Sequence, residues 1–428
     1  MGGHMDTIQY KQYLSLLERE LIPAMGCTEP IALAYCAASA LEAAKPHTLQ
    51  NLTKIDVIVS GNIIKNVKSV IVPNTEGQRG IETAVAAGLV SDNADKRLEV
   101  LTNLTDQQHS AMRELLNRKI IKVTPANNDA VLYVEILLTF EDGSARAVLE
   151  GTHTGLTRLE RDGEVLQSTE AIKIAQAEKP NLSVKDIFDF AEMADPADLE
   201  PLVGRQIDCN MAIAEKGISE NWGANVGRTL LEVHGDDVRS QARAYAAAGS
   251  DARMSGCEMP VVIVSGSGNQ GITASVPVAI YARHLGLDRA TLLRAVALSD
   301  LVTIHQKSGI GSLSAFCGAV CAGCGAGAGI AYLYTRNYDA VAHTIVNALA
   351  VISGMVCDGA KPSCAAKIAA SLDAGVLGFE LYRHGQQFMD GDGIVCKGVD
   401  NTIGNVSRMA KSGMRETDKV ILNIMCGC

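Results

Sequence analysis

Between Ser312 and Tyr334 the chain carries no charged residue, over a length that would cross a bilayer. The run is built of Gly and Ala rather than Leu, has no aromatic belt, and holds three cysteines, which suit a lipid-facing surface poorly. Such a segment is expected as a helix buried in protein on all sides, its small residues letting neighbouring backbones approach closely. A chain organised around it needs a shell of further helices. Composition agrees, since aromatic residues are 4% of the total while Gly alone contributes 40 of the 428 residues. That length suggests two or three domains with ample chain for a core.

Cysteines mark the same region. Cys317, Cys321 and Cys324 are spaced to share one face of a helix. Downstream, MVCDGAKPSCAAK places Cys357 and Cys364 on either side of Gly359 and Pro362, which break a helix and leave a loop holding two thiols. Thiolates from a helix and a facing loop can bind zinc or an iron–sulfur cluster. Free cysteines are otherwise small core residues, the reading taken for Cys321 and Cys324. The spacing is neither a paired CxxC zinc signature nor the compact run of a ferredoxin. Three thiolates with a fourth position open would suit a catalytic cluster rather than an electron carrier.

Twelve cysteines without a recognisable secretory signal point to a reducing cytoplasm, and the opening MGGH resembles an expression scar. A formal net charge of −10 argues against a nucleic-acid surface. The expected partner is a small molecule, with no membrane and no nucleic acid; a homo-oligomer is compatible with all of this.

In chain order, apolar positions from Ile8 to Leu21 fit an amphipathic helix that Pro23 ends. In AMGCTEPIALAYC, Thr28 can cap a second helix with Pro30 in its first turn. Cys27 then lies just outside a helix N-terminus, where the macrodipole is expected to lower its pKa. From Leu52 the pattern turns to strands: KIDVIVSG and KNVKSVIV about a turn at Gly61-Asn62, then Leu98–Leu101, Lys119–Thr124, Val131–Thr139, Ala145–Glu150 and a hairpin over Thr157–Val165. PNTEGQRG, at a helix start, is either an anion-binding turn or an ordinary one. EGTHTG supplies His153 at a strand end between hydroxyls, an acid/base candidate. The fold class expected is α+β: a mostly helical catalytic domain with an inserted α/β lobe. The divisions are 5–48 for the N-terminal helices of the helical domain, 49–182 for the lobe and 183–428 for the helical cluster-binding domain.

Beyond Val184 two features interrupt the helices. SDARMSGCEMP places Asp251 and Arg253 after an Ala-rich helix, and VVIVSGSGNQGITASVPV breaks into a Gly-rich turn before another helix. That turn, with Ser267, Gly268, Asn269 and Gln270, looks like an anion site made by backbone amides. It also resembles the substrate-carboxylate loop of pyridoxal-phosphate β-eliminating enzymes. Those enzymes need a Schiff-base lysine upstream, and there is no lysine between Gly217 and Gln306. The substrate logic survives; the pyridoxal cofactor does not.

Taken together and in order, GCTEP, EGTHT, SDARM, GSGNQGI, GIGSLSAFCGA and MVCDGAKPSCAAK resemble the L-cysteine desulfidase family, related to the iron–sulfur L-serine dehydratase α chain. The resemblance covers nearly the whole chain. It implies a [4Fe-4S] lyase that turns L-cysteine and water into pyruvate, ammonia and sulfide. It implies Cys317, Cys357 and Cys364 as cluster ligands and Cys27 as an acid/base cysteine, with His153 the second base candidate. Arg253 and the amides of Ser267, Gly268, Asn269 and Gln270 are then candidate substrate contacts. L-serine dehydration on the same cluster is the nearest alternative, and a non-catalytic iron–sulfur or zinc sensor is the alternative of another class. The terminal thiols of Cys426 and Cys428 are expected to be incidental; the alternative is the arrangement of some serine dehydratases, which place a C-terminal cysteine on the open iron.

Overall fold

The computed structural model describes residues 5–128, 130, 132–169, 181–311 and 314–426. The opening MGGH, the expected end of the lobe near residues 176–182 in its first part, and Cys428 lie outside them.

The Gly318–Thr335 helix is the axis of the molecule, and every residue from Ala319 to Leu333 is buried. Helices Gly268–Leu285, Arg289–Ile310, Tyr338–Ile352 and Cys364–Arg383 surround it. Its glycines are contact points: a Cβ on Gly323 would stand 2.5 Å from the Ser371 carbonyl oxygen, and one on Gly325 2.5 Å from that of Ser299. Close backbone approach is therefore what the Gly/Ala run provides. No described helix is long and apolar enough to cross a membrane. The helix starts later than the cysteine spacing suggested. Cys317 is its N-cap in extended conformation, so only Cys321 and Cys324 lie within it, both buried in the core.

The N-terminal helix Thr7–Glu20 is capped by Asp6, which accepts from the Gln9 N–H, and sends Tyr13, Leu16 and Leu17 into this helical core. Eight strands follow among the described residues: β1 (Pro23–Met25), β2 (Leu52–Val59), β3 (Ile121–Pro125), β4 (Tyr133–Phe140), β5 (Ser144–Glu150), β6 (Leu156–Arg161), β7 (Glu164–Ser168) and β8 (Pro260–Val262). Six form one mixed sheet in the order β3-β2-β4-β5-β6-β7, with β2 and β3 parallel and the other pairs antiparallel. Strand β4 alternates buried and half-buried residues, so Val134, Ile136 and Leu138 face a second core. The fold is α+β and mostly helical, as expected.

That second core also holds Ile31, Leu33 and Ala37 of the Thr28–Ala44 helix. The expected division at 49 put this helix with the helical domain, whereas its side chains cover the sheet, whose apolar face needs a helix against it. The expected hairpin at Gly61-Asn62 is instead a helix, Gly61–Val67, with Ile63, Ile64 and Val67 buried. Strand β2 already has β3 and β4 on its two sides, so no edge remains for a hairpin partner. The segment expected as a strand at Leu98–Leu101 instead runs out of a 3-10 turn, Ala94–Glu99, with Val100 and Leu101 in the sheet core.

Candidate active site

Strand β1 pairs antiparallel with β8, Pro23 opposite Val262, and joins the segment leading to Cys27 with the one entering the Ser265–Gln270 turn. A second small pairing does the same for the loop thiols. Phe316 bridges Val356, the Cys317 N–H donates to the Met355 carbonyl (3.0 Å) and the Cys357 N–H to that of Ala315 (2.6 Å). Two segments some forty residues apart thus set Cys317 beside Cys357. Cys364 opens the Cys364–Arg383 helix seven residues later.

These pieces meet around one cavity of about 110 Å³, room for a small molecule rather than a polymer. Its lining includes Cys27, Glu29, Arg253, Ser267, Asn269, Gln270, Cys317, Cys357 and Cys364. Four helices begin at its wall, with N-caps Cys27, Ser267, Cys317 and Ser363, and none of the four N-caps makes a side-chain capping bond. The dipoles of these four helix ends favour anionic contents, while in the fourth helix the Cys364 and Ala365 N–H groups already donate to the Lys361 and Pro362 carbonyls (3.0 and 3.2 Å). Four side-chain cations add to this field: Lys65, Arg253, Lys307 and Lys367.

The cations differ in how they are held. Lys65, 1% exposed, pairs with Asp418 at 2.6 Å. Lys367 pairs with Asp358 and donates to the Val356 carbonyl at 2.8 Å. Arg253 donates from Nη1 to Asn269 Oδ1 at 3.2 Å, while its buried Nε has no partner among the described residues. The Lys307 ammonium is buried with no ion pair or hydrogen bond to a described residue, and burial lowers its pKa. Arg253 and Asp251 sit in the last turn of the Val238–Met254 helix, not after it as expected. Gly268 does not line the cavity. Its place is steric, since a Cβ there would stand 2.3 Å from Arg253 Nε.

Cys27 departs from expectation in its charge. Thr28 does not cap the helix; Cys27 itself is the N-cap, and its Sγ donates to Glu29 Oε2 at 3.1 Å. Burial, and then the Glu29 carboxylate, push the thiol pKa well up, while Arg253 only partly opposes them. The helix N-terminus is outweighed because desolvation penalises a thiolate that is 3% exposed. Burial likewise pushes Cys317 up to about 12, with Cys357 the next cause, and raises Cys364. His153 lies behind the cavity wall rather than in it: it faces Glu29, burial lowers its pKa, and its buried Nε2 has no partner among the described residues. No residue of PNTEGQRG lines the cavity.

Residues 95–423 match the family model described as the serine dehydratase alpha chain. The chain belongs to that family. Full-length relatives agree in extent. A UPF0597 protein of Desulfitobacterium hafniense is 51% identical, covering 97% of this chain and 96% of its own. UPF0597 proteins of Lachnoclostridium phytofermentans and Finegoldia magna are 45% and 44% identical, each over 97% of this chain and 99% of theirs. The serine dehydratase match includes Arg253, the Ser267–Gln270 turn and all three loop-side thiols, while Cys27 and Glu29 precede it.

Sequence reasoning passed over Glu29, Lys65, Asn66, Lys307 and Lys367, all of which line the cavity. Glu29 and Lys367 were within motifs already singled out, GCTEP and SCAAK. A carboxylate two residues after an N-cap thiol was the available signal. Lys65 and Asn66 had none, because their segment was expected as a strand.

Proposed function

We propose that this chain is an iron–sulfur-dependent β-eliminating lyase that converts L-cysteine and water to pyruvate, ammonia and hydrogen sulfide. The observation that carries the reading is the convergence of three thiols and four uncapped helix N-termini on one small cavity. The donor set fits a [4Fe-4S] cluster held by Cys317, Cys357 and Cys364. Among the described residues no three His, Cys, Asp or Glu side chains stand close enough to share one ion. Ligands of a cubane each bind a different iron and therefore stand further apart than those of a single ion. Binding iron removes the thiol protons that burial otherwise retains, and the helix N-termini and Lys307 offset the resulting negative charge. When bound, the cluster would supply a Lewis-acidic fourth iron with no protein thiolate, which would assist departure of the sulfur or oxygen leaving group.

The chain's own groups do the rest. Arg253 and the amides of the Ser267–Gln270 turn receive the substrate carboxylate. Cys27, which lines the same cavity, is the group that removes the α-proton, and Arg253 favours its ionised form. Enclosure keeps water from the carbanionic transition state, and the aminoacrylate product hydrolyses after release. L-serine dehydration by the same residues is the second reading, favoured by the family match.

Anaerobic reconstitution tests this directly. About four irons per chain are expected, as one [4Fe-4S] cluster requires, with sulfide and pyruvate formed together from L-cysteine. Cys27→Ala should retain the iron and lose turnover. A far higher kcat/KM for pyruvate from L-serine would move the substrate to serine. Iron-free protein that turns over and is inactivated by borohydride would overturn the cluster reading.

A further inference from the structure

The buried thiol of Cys27 raises a question of proton balance, and the geometry around it points to an answer. Its Sγ–H donates to Glu29 Oε2 at 3.1 Å. The same oxygen accepts from Thr28 Oγ1 at 3.0 Å, and Oε1 accepts from Asn66 Nδ2 at 3.3 Å. Glu29 is 8% exposed, lines the cavity, and has no ion pair with a described residue. A buried carboxylate without a counter-cation is thus held by three hydrogen bonds from uncharged donors, one of them the thiol that must ionise. The other charged or titratable groups facing this pair are Arg253 from the Val238–Met254 helix, which faces Cys27, and His153 from the turn after β5, which faces Glu29. Lys65 of the Gly61–Val67 helix, Lys307, Lys367 and the thiols of Cys317, Cys357 and Cys364 line the same cavity.

We propose that Glu29 is the proton store of the reaction: it accepts the Cys27 proton when the thiolate is needed and returns it to the leaving group. This rests on the lyase reading above. The bookkeeping closes. The Sγ–H bond breaks and the proton moves to Glu29 Oε2. The thiolate then takes the substrate α-proton, and the Cα–H electron pair becomes the Cα–Cβ double bond. The Cβ–S (or Cβ–O) bond breaks with its electron pair on the departing atom, which takes the proton from Glu29. The site ends as thiol and carboxylate, as it began, with no oxidant or reductant.

Glu29→Gln keeps the shape and the acceptor for Asn66 but removes the proton affinity. Two readouts test it on reconstituted full-length protein: turnover of L-cysteine, and exchange of the α-proton of bound L-alanine with D₂O followed by NMR. Alanine has no leaving group, so its exchange reports the base alone. In Glu29→Gln both rates should fall about 100-fold near pH 7, the size typical of lost acid/base partners. They should then climb about tenfold per pH unit towards pH 9 as hydroxide replaces the carboxylate in ionising the thiol. Wild type should stay nearly flat over that range. Glu29→Asp, which keeps a carboxylate, should lose less and keep the wild-type profile. Rates within threefold of wild type, or an equal loss at every pH, would overturn the proposal, the second outcome marking a purely structural carboxylate. If Glu29→Gln fails to fold or to retain iron, the aspartate variant decides: a pH profile like the wild type supports the role, a changed one removes it. Wild-type protein that forms no pyruvate and exchanges no α-proton would instead sink the lyase reading.

Discussion

Gly359 offers the sharpest separation between fold stability and site geometry. It sits in the loop between Cys357 and Cys364 with φ +94, and a Cβ added there would stand 2.0 Å from the carbonyl oxygen of Lys65. That oxygen belongs to the Gly61–Val67 helix and cannot swing away as a side-chain tip would. The positive φ costs a non-glycine residue about 1–2 kcal/mol, and the overlap adds about 1–3 kcal/mol. Together, Gly359→Ala should cost about 2–5 kcal/mol. With an unfolding entropy of about 2.1 cal/mol/K per residue, a chain of 428 residues loses about 1 °C of Tm per kcal/mol. The global effect is then only about 2–5 °C. The local effect is larger, because the loop must move away from Lys65 and takes Cys357 and Cys364 with it. Gly286→Ala is the control: φ there is +65 with nothing within 4 Å, so about 1 kcal/mol is lost and the cavity is untouched. Iron per chain after anaerobic reconstitution, set beside thermal unfolding, checks both variants. If Gly359→Ala bound iron like wild type while losing the expected Tm, the loop would not be holding cluster ligands in place.

Alanine at Cys317, Cys357 or Cys364 should each abolish iron retention, whereas alanine at Cys321 or Cys324, both in the helical core, should retain it at a small loss of Tm; iron analysis with visible absorbance separates the two groups. Asp300 is fully buried, receives one hydrogen bond from Gln206 Nε2 at 2.9 Å, and has its pKa pushed up by burial to about 8. Its folded pKa exceeds the unfolded value, so its contribution is fully present below about pH 4 and is lost as pH rises towards 8. The Tm of Asp300→Asn relative to wild type should therefore increase across that window, and a constant difference from pH 4 to 8 would refute the assignment.

The sequence by itself determined the central helix, because an uncharged Gly/Ala run that avoids lipid chemistry can only be buried among other helices. It determined the strand alternation of β4 and β5 and the break between Cys357 and Cys364, since Gly359 and Pro362 act within a few residues. Local chemistry also marked the Ser267–Gln270 turn as an N-terminus. Tertiary structure decided what depends on partners distant in the chain. Residues 61–67 became a helix because β2 had no free edge, and with that change Lys65 and Asn66 reached the cavity. Cys27 kept its proton because burial and Glu29 outweigh a helix dipole, a balance that spacing along a chain cannot express. The Phe316–Val356 bridge, the β1–β8 pair and the meeting of four helix N-termini join segments far apart in sequence. Pairing of that kind is selected by the packing energy of the whole core, so it has no local signature.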